Sequence, residues 1–297
     1  MRSLAILAAL VIAVATACSP RETAEPSPSP TDSATAAPTA TAAGAALPSP
    51  TTVKTPTPTP PTATPTATAI PSVVFTSDSD ITERERALVQ LGVLIGEEYA
   101  NEQFGGGSRR TVFVHIAHAG VCISGASAIG YEICVNAASD SWVALSPDYL
   151  KLKILAHEYF HVLQHDLFCY REPKWLFEGL AEWYGYEAII DAGLVDRIAA
   201  STERQVELQD SPIHEPLSEQ EILYAAPTRP QYALWSFAAQ RLMAGNSDEE
   251  VRAFCAGRRD DLTWKESFAD AFGQTVEEFY EEFEVWRDGF LPYSAVE

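Results

Sequence analysis

The sequence predicts an α+β domain, a small sheet followed by a mainly helical part, on three observations. Strand-like apolar segments cluster between residues 111 and 136, whereas almost everything after residue 147 carries apolar side chains at helical spacing. Ahead of residue 73 the chain is too rich in Pro and Thr to build a core. Of the 297 residues, the remaining 225 (73–297) suit one folded domain.

Met1-Arg2 and the apolar run over 4–17 read as a signal peptide spanning 1–17, too short to cross a bilayer as a stable helix. It ends in Ala15-Thr16-Ala17-Cys18, which resembles a bacterial lipobox with Ala15 where Leu is usual, so cleavage and lipid attachment at Cys18 are expected. Residues 18–72 then form a lipidated cysteine and a disordered tether. The stretch 19–72 holds 13 Pro and 14 Thr, and the Thr-Pro alternation over 55–60 favours an extended polyproline-like chain. The implied location is a bacterial cell surface, outside the cytoplasm, with membrane contact through the N-terminal lipid anchor only.

Within the folded part, Asp80 is placed to cap a helix over 81–103 whose buried face is Leu88, Leu91, Ile95 and Tyr99. Residues 111–117 and 119–136 supply strands, including a hairpin; His115 and His118 fall there as sheet-surface residues. Ser146-Pro147 reads as an N-cap followed by proline at the first helical position. Leu152, Leu155, Tyr159, Val162 and Leu163 then repeat at helical spacing, which predicts a helix over 147–167. The chain breaks between Leu167 and Pro173, and Pro173 can start a second helix over 173–190 that folds back antiparallel.

The first of these two helices carries His157-Glu158-Tyr159-Phe160-His161, a His-Glu-x-x-His motif. Histidines four apart share one helix face, about 6 Å apart along the axis, and can converge on one zinc ion. Glu158 points about 100° away from His157, beside the metal, where it suits a general base taking the proton from a zinc-bound water. A catalytic zinc needs a third protein ligand and one open position. His165 lies roughly 12 Å up the helix from His157, too far to share a tetrahedral ion. Gln164 and Leu167 occupy the positions that the longer His-Glu-x-x-His-x-x-Gly-x-x-His form would require as Gly and His. Glu178 and Glu182, four apart on the second helix, face the same way, so one can bind the metal while the other hydrogen-bonds a histidine. Spacing favours Glu178 only slightly.

The pairing of that motif with Trp175-Leu176-Phe177-Glu178-Gly179-Leu180-Ala181 resembles the gluzincin metallopeptidases, specifically the peptidase MA-like group related to aminopeptidase N. The resemblance spans about 110–290. It implies a zincin-like architecture, one zinc per chain, and Glu178 as third ligand beside His157 and His161, with Glu182 supporting them. Gln231-Tyr232-Ala233-Leu234-Trp235-Ser236-Phe237 is similar to the family helix whose tyrosine polarises the scissile carbonyl, which assigns that role to Tyr232. His214 is its rival, in a segment that reads as a loop. Residues 263–273 are similar to the family's C-terminal Ala-Phe-x-x-Ala-Phe-Gly element. The interval from His161 to Glu178 is shorter than in aminopeptidase N, and the Gly-x-Met-Glu-Asn strand that holds a substrate's amino terminus is missing. Gly130-Tyr131-Glu132-Ile133-Cys134-Val135-Asn136 stands in its place, with Glu132 able to mimic the amine-binding glutamate, so aminopeptidase activity does not carry over.

With Cys18 set aside, Cys122, Cys134, Cys169 and Cys255 form an even set in an exported chain, and the expected disulfides are Cys122–Cys134 across the hairpin and Cys169–Cys255. The balance of 41 acidic against 20 basic residues, net −21, disfavours nucleic acid and anionic headgroups as partners. The expected protein is a monomeric extracytoplasmic zinc metallopeptidase acting on peptide or protein substrates, with Glu158 as general base and Tyr232 bracing the oxyanion. Its rivals are a catalytically inactive zincin-like binding module on the cell surface and a scaffold in which the motif is accidental.

Overall fold

A computed structural model describes residues 73–118, 122, 125–222 and 226–290. The expectations for 1–72 (signal peptide, Cys18 lipidation and tether) lie outside the described residues. The observed architecture is α+β, with a small sheet and a mostly helical remainder. Strand β1 (Val73–Ser77) leads into helix α1 (Glu83–Phe104), then β2 (Val112–Ala117), β3 (Ala126–Ile129) and β4 (Glu132–Asn136). Helices follow: α2 (Asp140–Val143), α3 (Asp148–Leu167), α4 (Lys174–Asp191) and α5 (Arg197–Asp210). After a 3₁₀ turn at Leu217–Gln220 come α6 (Arg229–Met243), α7 (Asp248–Gly257), α8 (Trp264–Phe272) and α9 (Val276–Phe290).

The sheet order is β1-β2-β4-β3, with β1 and β4 parallel to β2 and β3 antiparallel to β4. A parallel pair needs a crossover, which α1 supplies between β1 and β2. The β3–β4 hairpin turns at Gly130, whose φ of 63° lies in the left-handed region. Alternation buries Val112, Val114 and Ile116 of β2 with Ile133 and Val135 of β4, while Phe113 and Glu132 face outward. The expected hairpin therefore exists, with its first strand at Ala126–Ile129; residues 119–121, 123 and 124 of that segment lie outside the described residues.

Several local expectations are corrected. Thr82, not Asp80, caps α1: its side chain accepts from the Glu85 N–H while Glu85 reaches back, closing a capping box. Asp80 bonds instead to His118. The buried face of α1 is Val89, Gly92, Val93, Ile95, Gly96 and Ala100, with Leu88, Leu91 and Tyr99 at its half-buried margins. Gly92 and Gly96 turn the face, because a Cβ there would stand 2.7 Å from the Leu155 side chain or 2.9 Å from the Ala156 Cα. α3 thus seats directly on α1. Pro147 occupies the cap position of α3 and Ser146 makes no cap; Pro173 likewise precedes α4, so that helix runs 174–191.

Both expected disulfides are present. Cys122–Cys134 ties the segment ahead of the hairpin to β4, and Cys169–Cys255 joins the α3–α4 connection to α7. Helices α3, α4 and α6 enclose the main core, with Tyr159, Trp175, Leu176, Trp235 and Phe237 fully buried.

Candidate metal centre

α3 and α4 pack side by side, and the polar residues of their contact meet at one point. His157, Glu158, Glu178 and Glu182 are all buried, and His161 is half-buried. Charged groups at such depth are rare unless paired or bound to a cation. The ligand-capable atoms of His157, Glu158 and His161 lie within 4.8 Å of one another, a cluster that could hold a metal ion. Glu178 comes closer to both imidazoles: its Oε2 is 3.2 Å from His161 Nε2 and 3.5 Å from His157 Nε2. Donors held at 2.0–2.1 Å around a tetrahedral zinc stand about 3.3 Å apart, which matches both separations.

The partners of the outer ring nitrogens show how this point could hold a cation. His157 Nδ1 donates to Glu182 Oε2 at 2.9 Å. His161 Nδ1 donates to Gln164 Oε1 at 2.7 Å, and Gln164 is held by its own amide donating to the Phe177 carbonyl at 2.8 Å. With a proton on each Nδ1, both neutral rings aim Nε2 lone pairs at a carboxylate oxygen. Three lone pairs converging in a buried site repel unless a proton or metal ion sits among them. Electrostatics in the metal-free protein follow from this. Burial opposes charge on His157, yet its hydrogen bonds to the Glu178 and Glu182 carboxylates push its pKa up to about 10. Burial likewise works against the Glu182 carboxylate, but Lys153 and His157 hold it down to about 2. Glu178 is also held well below the usual carboxylate range, with the two histidines overcoming its burial.

Glu158 has the opposite bias. Burial pushes its carboxyl above the usual range, against the pull of His157 and His161; nearby Glu178 adds to the rise, and an N–H from Ala128 on β3 opposes it. The strand at the sheet edge thus lies against this carboxyl. Tyr232 sits at the start of α6 with its ring edge-on to His157, centroids 5.8 Å apart. Burial, together with Glu178, Glu158 and Glu182, drives its phenol far above the ordinary value, so the hydroxyl keeps its proton. That hydroxyl makes no hydrogen bond among the described residues.

The approach of α6 depends on Gly179. A Cβ there would stand 2.4 Å from the Trp235 carbonyl oxygen, so the residue after Glu178 must lack a side chain for Tyr232 to reach the centre. The structure therefore brings together His157, Glu158, His161, Glu178, Glu182 and Tyr232. His165 lies exposed against Tyr131. His115 and His118 face Asp78, Asp80 and Glu85 at the sheet surface, His214 is exposed in its loop, and Glu132 is exposed at the start of β4.

Sequence reasoning missed four participants. Lys153, buried, places its ammonium on Glu182 Oε1; Lys174 places its own on Glu178 Oε1 at 2.5 Å. Phe177 stacks on His161 with rings 16° apart, and Gln164 orients the same ring. Helical spacing held the signal for three of them: Lys174 is four residues before Glu178, Lys153 four before His157, and Gln164 three after His161.

No protein-family model matches the chain, and no curated protein matches it. Function therefore has to be read from the donor set itself.

Proposed function

We propose that the protein is an extracytoplasmic zinc metallopeptidase of the gluzincin type, with the peptidase MA-like resemblance as its family reading. The observation that carries this is the approach of Glu178 Oε2 to both His161 Nε2 and His157 Nε2 at near-tetrahedral separations, with the Glu158 carboxyl beside them. Two imidazoles and a carboxylate form a donor set suited to catalytic zinc, which leaves a fourth position for water or substrate. Zinc held there would polarise a peptide carbonyl and lower the pKa of a bound water to about 7.

The chain's own residues supply the proton handling. Glu158, with its raised proton affinity, takes the proton of the attacking water and delivers it to the departing amine nitrogen. A structural zinc site would have no use for such a carboxyl. Tyr232 keeps its proton and donates a hydrogen bond to the oxyanion that forms on the carbonyl. Glu182, braced by Lys153, fixes the ring of His157, and Gln164 fixes that of His161. β3 stands at the sheet edge beside Glu158, and an extended peptide laid along that edge would present its backbone to the centre. This favours peptide or protein substrates.

The two disulfides fit an extracytoplasmic compartment. No helix among the described residues is long and apolar enough to cross a membrane. Anchoring through lipid on Cys18 and action as a monomer complete the proposal. Its test is cleavage of a mixed peptide library, read by mass spectrometry, for the wild type and Glu158→Gln. Cleavage by the wild type that falls about 10²–10⁴-fold in the variant is expected. A zinc-loaded wild type that cuts nothing would replace the enzyme by the inactive binding module.

A further inference from the structure

Lys174 stands out because a simple helix ion pair does not account for its position. It is the first residue of α4, where the helix dipole disfavours a cation. No acidic residue occupies that first turn. Its ammonium reaches one turn inward to Glu178 Oε1 at 2.5 Å, although the Glu178 side chain is only 8% exposed. The two oxygens of Glu178 thus have separate duties. Oε2 faces the Nε2 atoms of His161 and His157 at 3.2 and 3.5 Å, while Oε1 is turned away to Lys174. The same ammonium lies 5.7 Å from the centre of the Phe177 ring, which stacks on His161. Lys174 therefore braces the third donor directly and one histidine through Phe177.

From this arrangement we infer that Lys174 is a positioning residue that restricts Glu178 to binding through one oxygen, and so keeps a position at the metal open for water and substrate. The inference rests on the zinc reading of the site. A carboxylate free on both oxygens can bind a metal through either one or both. Binding through both would fill the position that the reaction needs. The charge on Lys174 and its hydrogen bond to Oε1 make one-oxygen binding the stable choice. Its own exposure is moderate, at 34% of the side chain, so replacing it leaves the buried core of α4 intact.

The test substitutes cobalt(II) for zinc and reads the visible d–d absorption, whose intensity falls as the ion goes from four to five ligands. Three variants are compared with the wild type: Lys174→Met, which keeps the length and loses the charge; Lys174→Gln, which keeps hydrogen-bonding capacity alone; and Lys174→Arg, which keeps the charge. Far-ultraviolet circular dichroism checks that each is folded. The expected result is a weakened band in the Met and Gln variants, the wild-type band in the Arg variant, and peptide cleavage reduced about 10–100-fold in the first two. A wild-type spectrum in both Lys174→Met and Lys174→Gln would overturn the inference, as would an Arg variant that matches Met. A wild type that takes up no cobalt would instead remove the metal reading on which the inference stands.

Discussion

Replacing Gly179 by alanine tests how the fold assembles the centre. The added Cβ would meet the Trp235 carbonyl oxygen at 2.4 Å, its carbonyl carbon at 2.9 Å and its Cβ at 3.1 Å. Reaching ordinary contact at 3.4 Å requires α4 and α6 to part by 1.0 Å. Trp235 cannot yield alone, because its side chain is fully buried and its indole N–H donates to Gln220 Oε1 at 2.6 Å. α4 cannot move instead: a Cβ at Gly185 would stand 2.8 Å from the Lys153 carbonyl oxygen, so α4 is already seated on α3. The displacement falls on α6. Overpacking of this kind costs about 1–3 kcal/mol, and the better helix propensity of alanine returns about 1 kcal/mol. At the upper end, a net loss of about 2 kcal/mol lowers Tm by roughly 4–8 °C for a domain of this size. Because α6 carries Tyr232, a shift of this size should also lower turnover about 10²-fold, while zinc affinity, set by α3 and α4, stays near wild type. Thermal unfolding, peptide cleavage and zinc titration on one preparation measure all three. A Gly179→Ala protein with wild-type Tm and turnover would refute the close-approach reasoning.

Further outcomes follow from the centre and the core. Because His157 in the metal-free protein stays charged up to about pH 10, zinc must displace its proton, and apparent affinity should rise about tenfold per pH unit from 7 to 9. Competition with a chelator at several pH values reads this, and a flat profile would contradict it. The same raised pKa contributes stability to the metal-free protein that is fully present below the ordinary imidazole value of 6.5 and is lost as pH rises through about 10. Tyr232→Phe should lower kcat about 10²–10³-fold at unchanged zinc affinity, as expected for a lost oxyanion donor; an unaltered kcat would return Tyr232 to a packing role. Removing the Cys169–Cys255 bridge, with its sequence separation of 86, should cost about 4–5 kcal/mol in the chain-entropy picture, measured by urea unfolding of the Cys→Ala pair. Equal stability with and without the bridge would show that the cross-link adds nothing there.

The parts of the structure that were legible in the sequence are those with a local period. The helix carrying His157 and His161 needed only the 3.6-residue repeat, and its observed start differs by one residue. The exclusion of His165 followed from rise along the axis, and it lies exposed, away from the other histidines. The Cys pairs followed from parity and position. Less legible were contacts set by what is absent from a side chain. Gly92 and Gly96 look like weak points in a helix until the partner helix that fills the space is known. For the same reason the large residues Leu88 and Leu91 drew the expected face of α1 toward its half-buried margin, while Ile95 lies on the buried face itself. Asp80 and Thr82 are both good caps, and only the competing bond from Asp80 to His118 decides between them. Lys153 and Lys174 escaped notice because a lysine in a helix ordinarily points to solvent, and their pairing with buried carboxylates depends on how α3 and α4 dock.

In the proposed centre, two imidazoles and one carboxylate hold a single zinc ion. The direct test is zinc-edge X-ray absorption on the purified protein, paired with its metal content. The expected result is one zinc per chain, with two imidazole nitrogens at about 2.0–2.1 Å, oxygen donors completing the shell, and loss of the metal in Glu178→Ala. A protein free of zinc, or a zinc that survives in Glu178→Ala with an unchanged spectrum, would contradict it.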